Sequence, residues 1–258
     1  EAGEGDEVIF AWRSFEAYPI VVRTAGAVDV QVPLTADHRH DLPAMLEAIT
    51  ERTRVILLCT PNNPTGPVLT TAEVEDFLAR VPAHILVVID EAYVEFVRDE
   101  DAVKGLEMYR KHANVVVLRT FSKAYGLAAL RVGYAISSPV IADVLNRVRQ
   151  PFNVNSLALA AACAALDDVD YLAASRRVND AGMAQLERGF RQLGLEWIPS
   201  RGNFIAVDFA RDAAPINQAL LREGVIVRPV AGYGMPTFLR VSIGTERENA
   251  RFLDVLAQ

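Results

Sequence analysis

Several things are scarce in this chain. Its 258 residues contain only two cysteines, Cys59 and Cys163, both in apolar surroundings. That is no disulfide framework; both are expected as core thiols, in a protein of the reducing cytoplasm. No apolar run approaches the roughly 20 residues that cross a bilayer. Basic residues are outnumbered, with 26 Lys and Arg against 33 Asp and Glu for a net charge of -7, which gives no reason to expect nucleic acid. The four histidines, His38, His40, His84 and His112, lack metal-ligand spacing and are expected to be solvated. No G-x-G-x-x-G or Walker pattern opens a helix, which disfavours a nicotinamide or nucleotide enzyme. An initiator methionine is also missing. The chain starts at Glu1, and Gly5-Asp6-Glu7-Val8-Ile9-Phe10 runs directly into a strand, so an N-terminal portion is expected to be absent.

What is present points to a globular α/β protein. Apolar residues make up 51% and charged residues 23%, far from the composition of disorder. Val8 to Ala11 and Val28 to Val32 read as strands, and Val55 to Cys59, Ile85 to Ile89 and Val115 to Leu118 as strands buried on both faces. Helical stripes fall between them. Asp41 caps one built on Leu42, Met45, Leu46 and Ile49. Thr70 and Glu73 form a capping box before Val74, Phe77, Leu78 and Val81. Ser138-Pro139 opens a helix, and Ser156 to Leu166, apolar nearly all round, predicts a buried one. Alternating strands and helices imply a mostly parallel sheet with helices on both faces. After residue 166 the pattern changes. A long polar helix over 170–193, closed by Gly194, is followed by short strands at 195–198, 204–209, 225–228 and 239–243, with helices at 215–222 and 245–257. The reading is a large domain over 1–166 and a small α+β domain over 167–258.

Three predicted strands end in unusual polar sequences: Cys59-Thr60-Pro61-Asn62-Asn63-Pro64-Thr65-Gly66, Asp90-Glu91-Ala92-Tyr93, and Thr120-Phe121-Ser122-Lys123. Ligands of open α/β sheets sit beyond such strand ends. If the strands are neighbours, Asn63, Asp90, Tyr93, Ser122 and Lys123 share one crevice. A lysine in a small-residue turn, with Ser122 before it and Arg131 eight residues on, suits an amine that condenses with pyridoxal 5'-phosphate (PLP) beside a phosphate pocket. A carboxylate at Asp90 favours a charged pyridinium. Asn63 and Tyr93 can donate to the phenolic oxygen, and Ser122 and Arg131 to the phosphate. Desolvation and nearby cations are expected to depress the pKa of Lys123.

These motifs, together with Leu130-Arg131-Val132-Gly133-Tyr134 and Leu239-Arg240-Val241-Ser242-Ile243-Gly244-Thr245, resemble fold-type I PLP-dependent aminotransferases, and within them the histidinol-phosphate aminotransferase family. The resemblance covers essentially the whole chain. It implies Lys123 as the catalytic amine, with Asn63, Asp90, Tyr93, Ser122 and Arg131 as cofactor contacts. It implies Phe15 as the aromatic stacked on the cofactor ring, and Arg240 with Arg228 on the substrate's anionic end. The implied reaction is ping-pong amino transfer between L-histidinol phosphate and 2-oxoglutarate or glutamate in histidine biosynthesis, carried out by a homodimer. Two guanidiniums suit a dianion, which favours the phosphate. Trp12-Arg13-Ser14-Phe15 resembles a subgroup similar to aromatic amino acid aminotransferases, so phenylalanine or tyrosine stays open as donor. A truncated, non-catalytic aminotransferase-like module is the third reading, because the family's phosphate-binding loop precedes Glu1.

Overall fold

The computed structural model describes residues 2–258. Strands β1 (Glu7–Trp12), β2 (Val28–Pro33), β3 (Thr53–Cys59), β4 (Leu86–Asp90), β5 (Val115–Thr120) and β6 (Gly133–Ile136) form one sheet in the order β2-β1-β3-β4-β5-β6. The first five run parallel, and β6 pairs antiparallel to β5. Helices α1 (Ala17–Thr24), α2 (Leu42–Glu47), α3 (Thr71–Arg80) and α4 (Gly105–Lys111) connect the parallel strands.

Alternation along the strands explains the layering. Ile9, Ala11, Ile56, Leu58, Val87 and Ile89 point to one face, where they pack with Leu42 and Met45 of α2, Val74, Phe77 and Leu78 of α3 and Met108 of α4. Val8 and Phe10 point to the other face, against Tyr18 and Val22 of α1. Such two-sided burial is why these strands read as continuous apolar runs. The predicted caps are in place. Asp41 accepts from the Ala44 amide at 3.0 Å, and Thr70 and Glu73 complete a reciprocal capping box.

Helices α5 (Pro139–Val148), α6 (Ser156–Asp167) and α7 (Val169–Gln192) lead to a second, antiparallel sheet. Its strands β7 (Glu196–Ile198), β8 (Phe204–Asp208), β9 (Arg228–Pro229) and β10 (Phe238–Ser242) lie in the order β7-β8-β10-β9. Helices α8 (Ala214–Arg222) and α9 (Glu246–Leu256) join α7 over one face. There Leu186, Phe190, Leu220, Phe252 and Val255 pack on Ile205, Val207, Leu239 and Val241. Thr245 and Glu248 cap α9 with a second capping box.

Four expectations need correction. Helix α6 is not buried: only Ala158 and Ala162 are covered, against Phe121 and Val132, while Leu157 is 77% exposed. Its alanine content reflects helix propensity rather than a core position. Cys163, on the same helix, is exposed. His40 is buried at 6% exposure. The strand predicted at 225–228 forms only at Arg228–Pro229, on the edge of the sheet, where proline's missing N–H is tolerated.

Candidate active site

The crevice arises because β3, β4 and β5 are neighbours, so their three polar C-terminal sequences open side by side. Cys59 and Leu118 flank Asp90 in register. The loop after β3 turns back at Gly66, whose φ of +104° and contact with Ser200 leave no room for a side chain; an added Cβ would lie 2.4 Å from Ser200. The turn after β5 closes when the Gly126 amide donates to the Lys123 carbonyl at 3.0 Å, again at positive φ.

Asp90 sits at the base. Its Oδ2 accepts the Tyr18 hydroxyl at 2.8 Å and its Oδ1 the Ala92 amide at 3.2 Å. Burial lifts its pKa, while Tyr18, Ala92 and the nearby Lys123 ammonium pull the other way. Lys123 is half-buried, with its Nζ 5.3 Å from the centre of the Tyr93 ring. Desolvation first, then the charges of Arg240 and Arg131, push its pKa down against the opposing pull of Asp90. This is the direction expected from the sequence.

The second sheet supplies Arg240. Its Nη1 donates to Asn63 Oδ1, and its guanidinium lies 5.0 Å from the Phe204 ring centre. Phe204 in turn meets Tyr93 edge to face at 5.1 Å. Arg240 Nε is buried and has no partner among the described residues. Ser122 and Arg131 flank the lysine turn. Arg131 adopts φ +56° and donates to the Ala128 carbonyl at 2.8 Å. Phe15 is 39% exposed and packs edge to face on Tyr18, the partner of Asp90, at 5.7 Å between centroids. Arg228 lies farther out, where its Nη2 donates to both carboxylate oxygens of Glu16 at 2.8 and 2.9 Å.

The site is rich in donors that lack an internal acceptor. Among the described residues this holds for the Lys123 ammonium, the Tyr93 and Ser122 hydroxyls and Arg240 Nε. A half-buried set of that kind, with a carboxylate at its base, fits a phosphorylated pyridine aldehyde. The anionic and phenolic oxygens of such a group would meet the donors, and a pyridinium would hold Asp90 ionised.

Residues 1–256 match the aminotransferase class I and II family. The chain belongs to this family. The aminotransferase is 63% identical over 254 residues to histidinol-phosphate aminotransferase 2 of Pseudomonas fluorescens strain Pf-5, covering 98% of this chain and 68% of that protein. It is likewise 63% identical to histidinol-phosphate aminotransferase 2 of Pseudomonas aeruginosa strain PAO1, covering 98% and 69%. Its structure is similar to that of histidinol-phosphate aminotransferase from Sinorhizobium meliloti in complex with pyridoxal-5'-phosphate, with a TM-score of 0.91, 31% identity and coverage of 100% of this chain and 72% of that one.

Several site residues of the aminotransferase escaped the sequence reading. Tyr18 stands in the first turn of α1, and its bond to Asp90 spans 72 positions, so it left no local signal. Phe204, Glu16 and Tyr233 gave none, because their site partners lie far away in sequence. Asn62 is held in a buried network with Ser14 Oγ at 2.7 Å, His40 Nε2 at 3.2 Å and Thr65 Oγ1 at 2.7 Å.

Proposed function

We propose that this aminotransferase transfers the amino group of L-histidinol phosphate to 2-oxoglutarate with pyridoxal 5'-phosphate as cofactor. The observation that carries the reading is the placement of a desolvated Lys123 and Asp90 after the ends of the adjacent strands β5 and β4, among donors that lack acceptors. The name of the relatives at 63% identity supports the substrate.

Bound PLP supplies an electron sink for the electrons released at the substrate's α-carbon. The protein's residues do the rest. Lys123, with its pKa lowered, spends more time as a free amine, so its Nζ can take the substrate's α-proton and give a proton back. Asp90, oriented by Tyr18 and the Ala92 amide, would hold the proton on the ring nitrogen. Asn63 and Tyr93 would donate to the phenolic oxygen. Ser122 and Arg131 would hold the phosphate, a task suited to a guanidinium. Phe15 would cover the ring face. Arg240, with Arg228, takes the anionic end of the substrate.

Residues 1–166 then act as the cofactor-binding domain and 167–258 as the small domain, a division supported by the separate cores under the two sheets. We also infer a homodimer. Val140, Val148, Phe152 and Leu157 on and near α5 and α6 are each at least 75% exposed, an apolar surface that asks for cover. Two free cysteines support a reducing cytoplasmic location.

The test is reconstitution with PLP. The intact chain is expected to acquire the visible absorption of a lysine-bound cofactor, and Lys123→Ala to lose it while staying folded. A band unchanged by Lys123→Ala, or no band in the intact folded chain, overturns the reading. A kcat/KM for phenylalanine above that for histidinol phosphate would reassign the donor to the aromatic class.

A further inference from the structure

The pocket carries an anion of its own. Glu16 is the residue before α1, and its side chain makes no capping bond to the helix. It reaches across to the second sheet instead. Both carboxylate oxygens accept from Arg228 Nη2, and Oε2 also accepts the Tyr233 hydroxyl at 2.9 Å. Burial alone would raise the Glu16 pKa, but Tyr233, Arg228 and the charge of Arg240 outweigh it and hold the carboxyl below its usual range.

The reason for this arrangement lies in the register. Arg228 and Arg240 are direct cross-strand partners on β9 and β10. Like charges opposite each other in a sheet destabilise it, and an anion near both offsets that repulsion. Glu16 fills this place in the free protein. A phosphate or carboxylate delivered by a substrate would satisfy the same two guanidiniums. The site is also open to exchange, because the side chains of Glu16 and Arg228 are 46% and 51% exposed. Arg240 Nε, buried and without a partner, remains available to an incoming oxygen.

We propose that Glu16 is a resident anion which the substrate's anionic end displaces from Arg228 and Tyr233, and that this competition holds down the affinity of the site for dianionic phosphomonoesters more than for carboxylates. With Glu16 engaged, the two arginines present one net positive charge; with Glu16 displaced they present two, which a dianion uses more fully than a monoanion. The proposal rests on the assignment of Arg228 and Arg240 to the substrate's anionic end.

Isothermal titration of the PLP-loaded protein tests it, with two unreactive probes of the same shape: phenethyl phosphate and 3-phenylpropionate. Removing a unit charge about 6 Å from a bound dianion, screened as in bulk water, corresponds to at least roughly tenfold in affinity. Glu16→Gln is therefore expected to tighten phenethyl phosphate about tenfold, and 3-phenylpropionate by roughly threefold, because its charge is half as large. Glu16→Ala repeats the measurement with no side-chain acceptor left, should the glutamine variant fold poorly. If Glu16 only props Arg228, both variants weaken both probes; that outcome, or unchanged affinities, overturns the exchange while leaving the arginine assignment standing. Failure of the wild-type protein to bind phenethyl phosphate overturns both.

Discussion

His40 should make the fold acid-sensitive in a defined pH window. It is buried at 6% exposure, and its only hydrogen bond among the described residues is from Nε2 to Asn62 Oδ1 at 3.2 Å. The Asn62 amide nitrogen donates to the Arg13 carbonyl and Thr65 Oγ1, so Oδ1 is the acceptor and Nε2 must carry the proton. Nδ1 has no partner. Protonating it would bury a charged N–H with no acceptor. Burial accordingly lowers the pKa from 6.5 to about 4, with Asn62 pulling up and Arg39 pushing further down. In the unfolded chain the ring takes its proton near 6.5. Between these values the unfolded state binds more protons, so stability is complete above 6.5 and falls as pH drops towards 4. Integrating over that window gives a loss of about 3 kcal/mol at pH 4 relative to about pH 7. Gln at this position can still donate to Asn62 but cannot titrate. Urea unfolding of the wild type and His40→Gln at both pH values isolates the histidine. The raised carboxyls Asp90 and Glu95 act with the opposite sign and cancel in the difference. The wild type should lose about 3 kcal/mol more than the variant. Equal losses in the two proteins would refute the buried, half-partnered histidine.

Two further outcomes follow from the packing and the pocket. Arg240→Lys keeps the charge but not the fork that reaches Asn63 while leaving Nε for a ligand; KM for histidinol phosphate should rise about 10- to 100-fold, the worth of one charged hydrogen bond, and steady-state kinetics with an unchanged KM would contradict that role. Phe77→Ala, at a core position only 1% exposed between α3 and the parallel sheet, should cost about 3–5 kcal/mol in urea unfolding, and a loss below about 1 kcal/mol would mean that the core collapses into the space.

The local features of this chain were legible in its residues because their causes are local. A capping box spans four residues, so Thr70 with Glu73 and Thr245 with Glu248 announce their helices. Unbroken apolar runs marked β3, β4 and β5 because both their faces are covered. Helices α1 and α4 and strand β6 are not marked in the same way, being short segments of eight, seven and four residues. The exposure of α6 was misjudged because alanine is favoured in helices whether or not anything covers it.

Strand-end chemistry divides along the same line. The identity of Lys123, Asp90 and Asn63 as candidates came from the sequence alone, since each stands where a predicted strand stops. That they face one crevice depended on β3, β4 and β5 being neighbours, a matter of pairing between distant segments. The contacts from Arg240 to Asn63, Arg228 to Glu16 and His40 to Asn62 join positions 177, 212 and 22 residues apart. No short-range preference encodes such pairs. The first two exist because two sheets with separate cores are brought together, and the third because the loops after β2 and β3 meet; burial then decides which charged groups keep a partner and which are left open for a ligand.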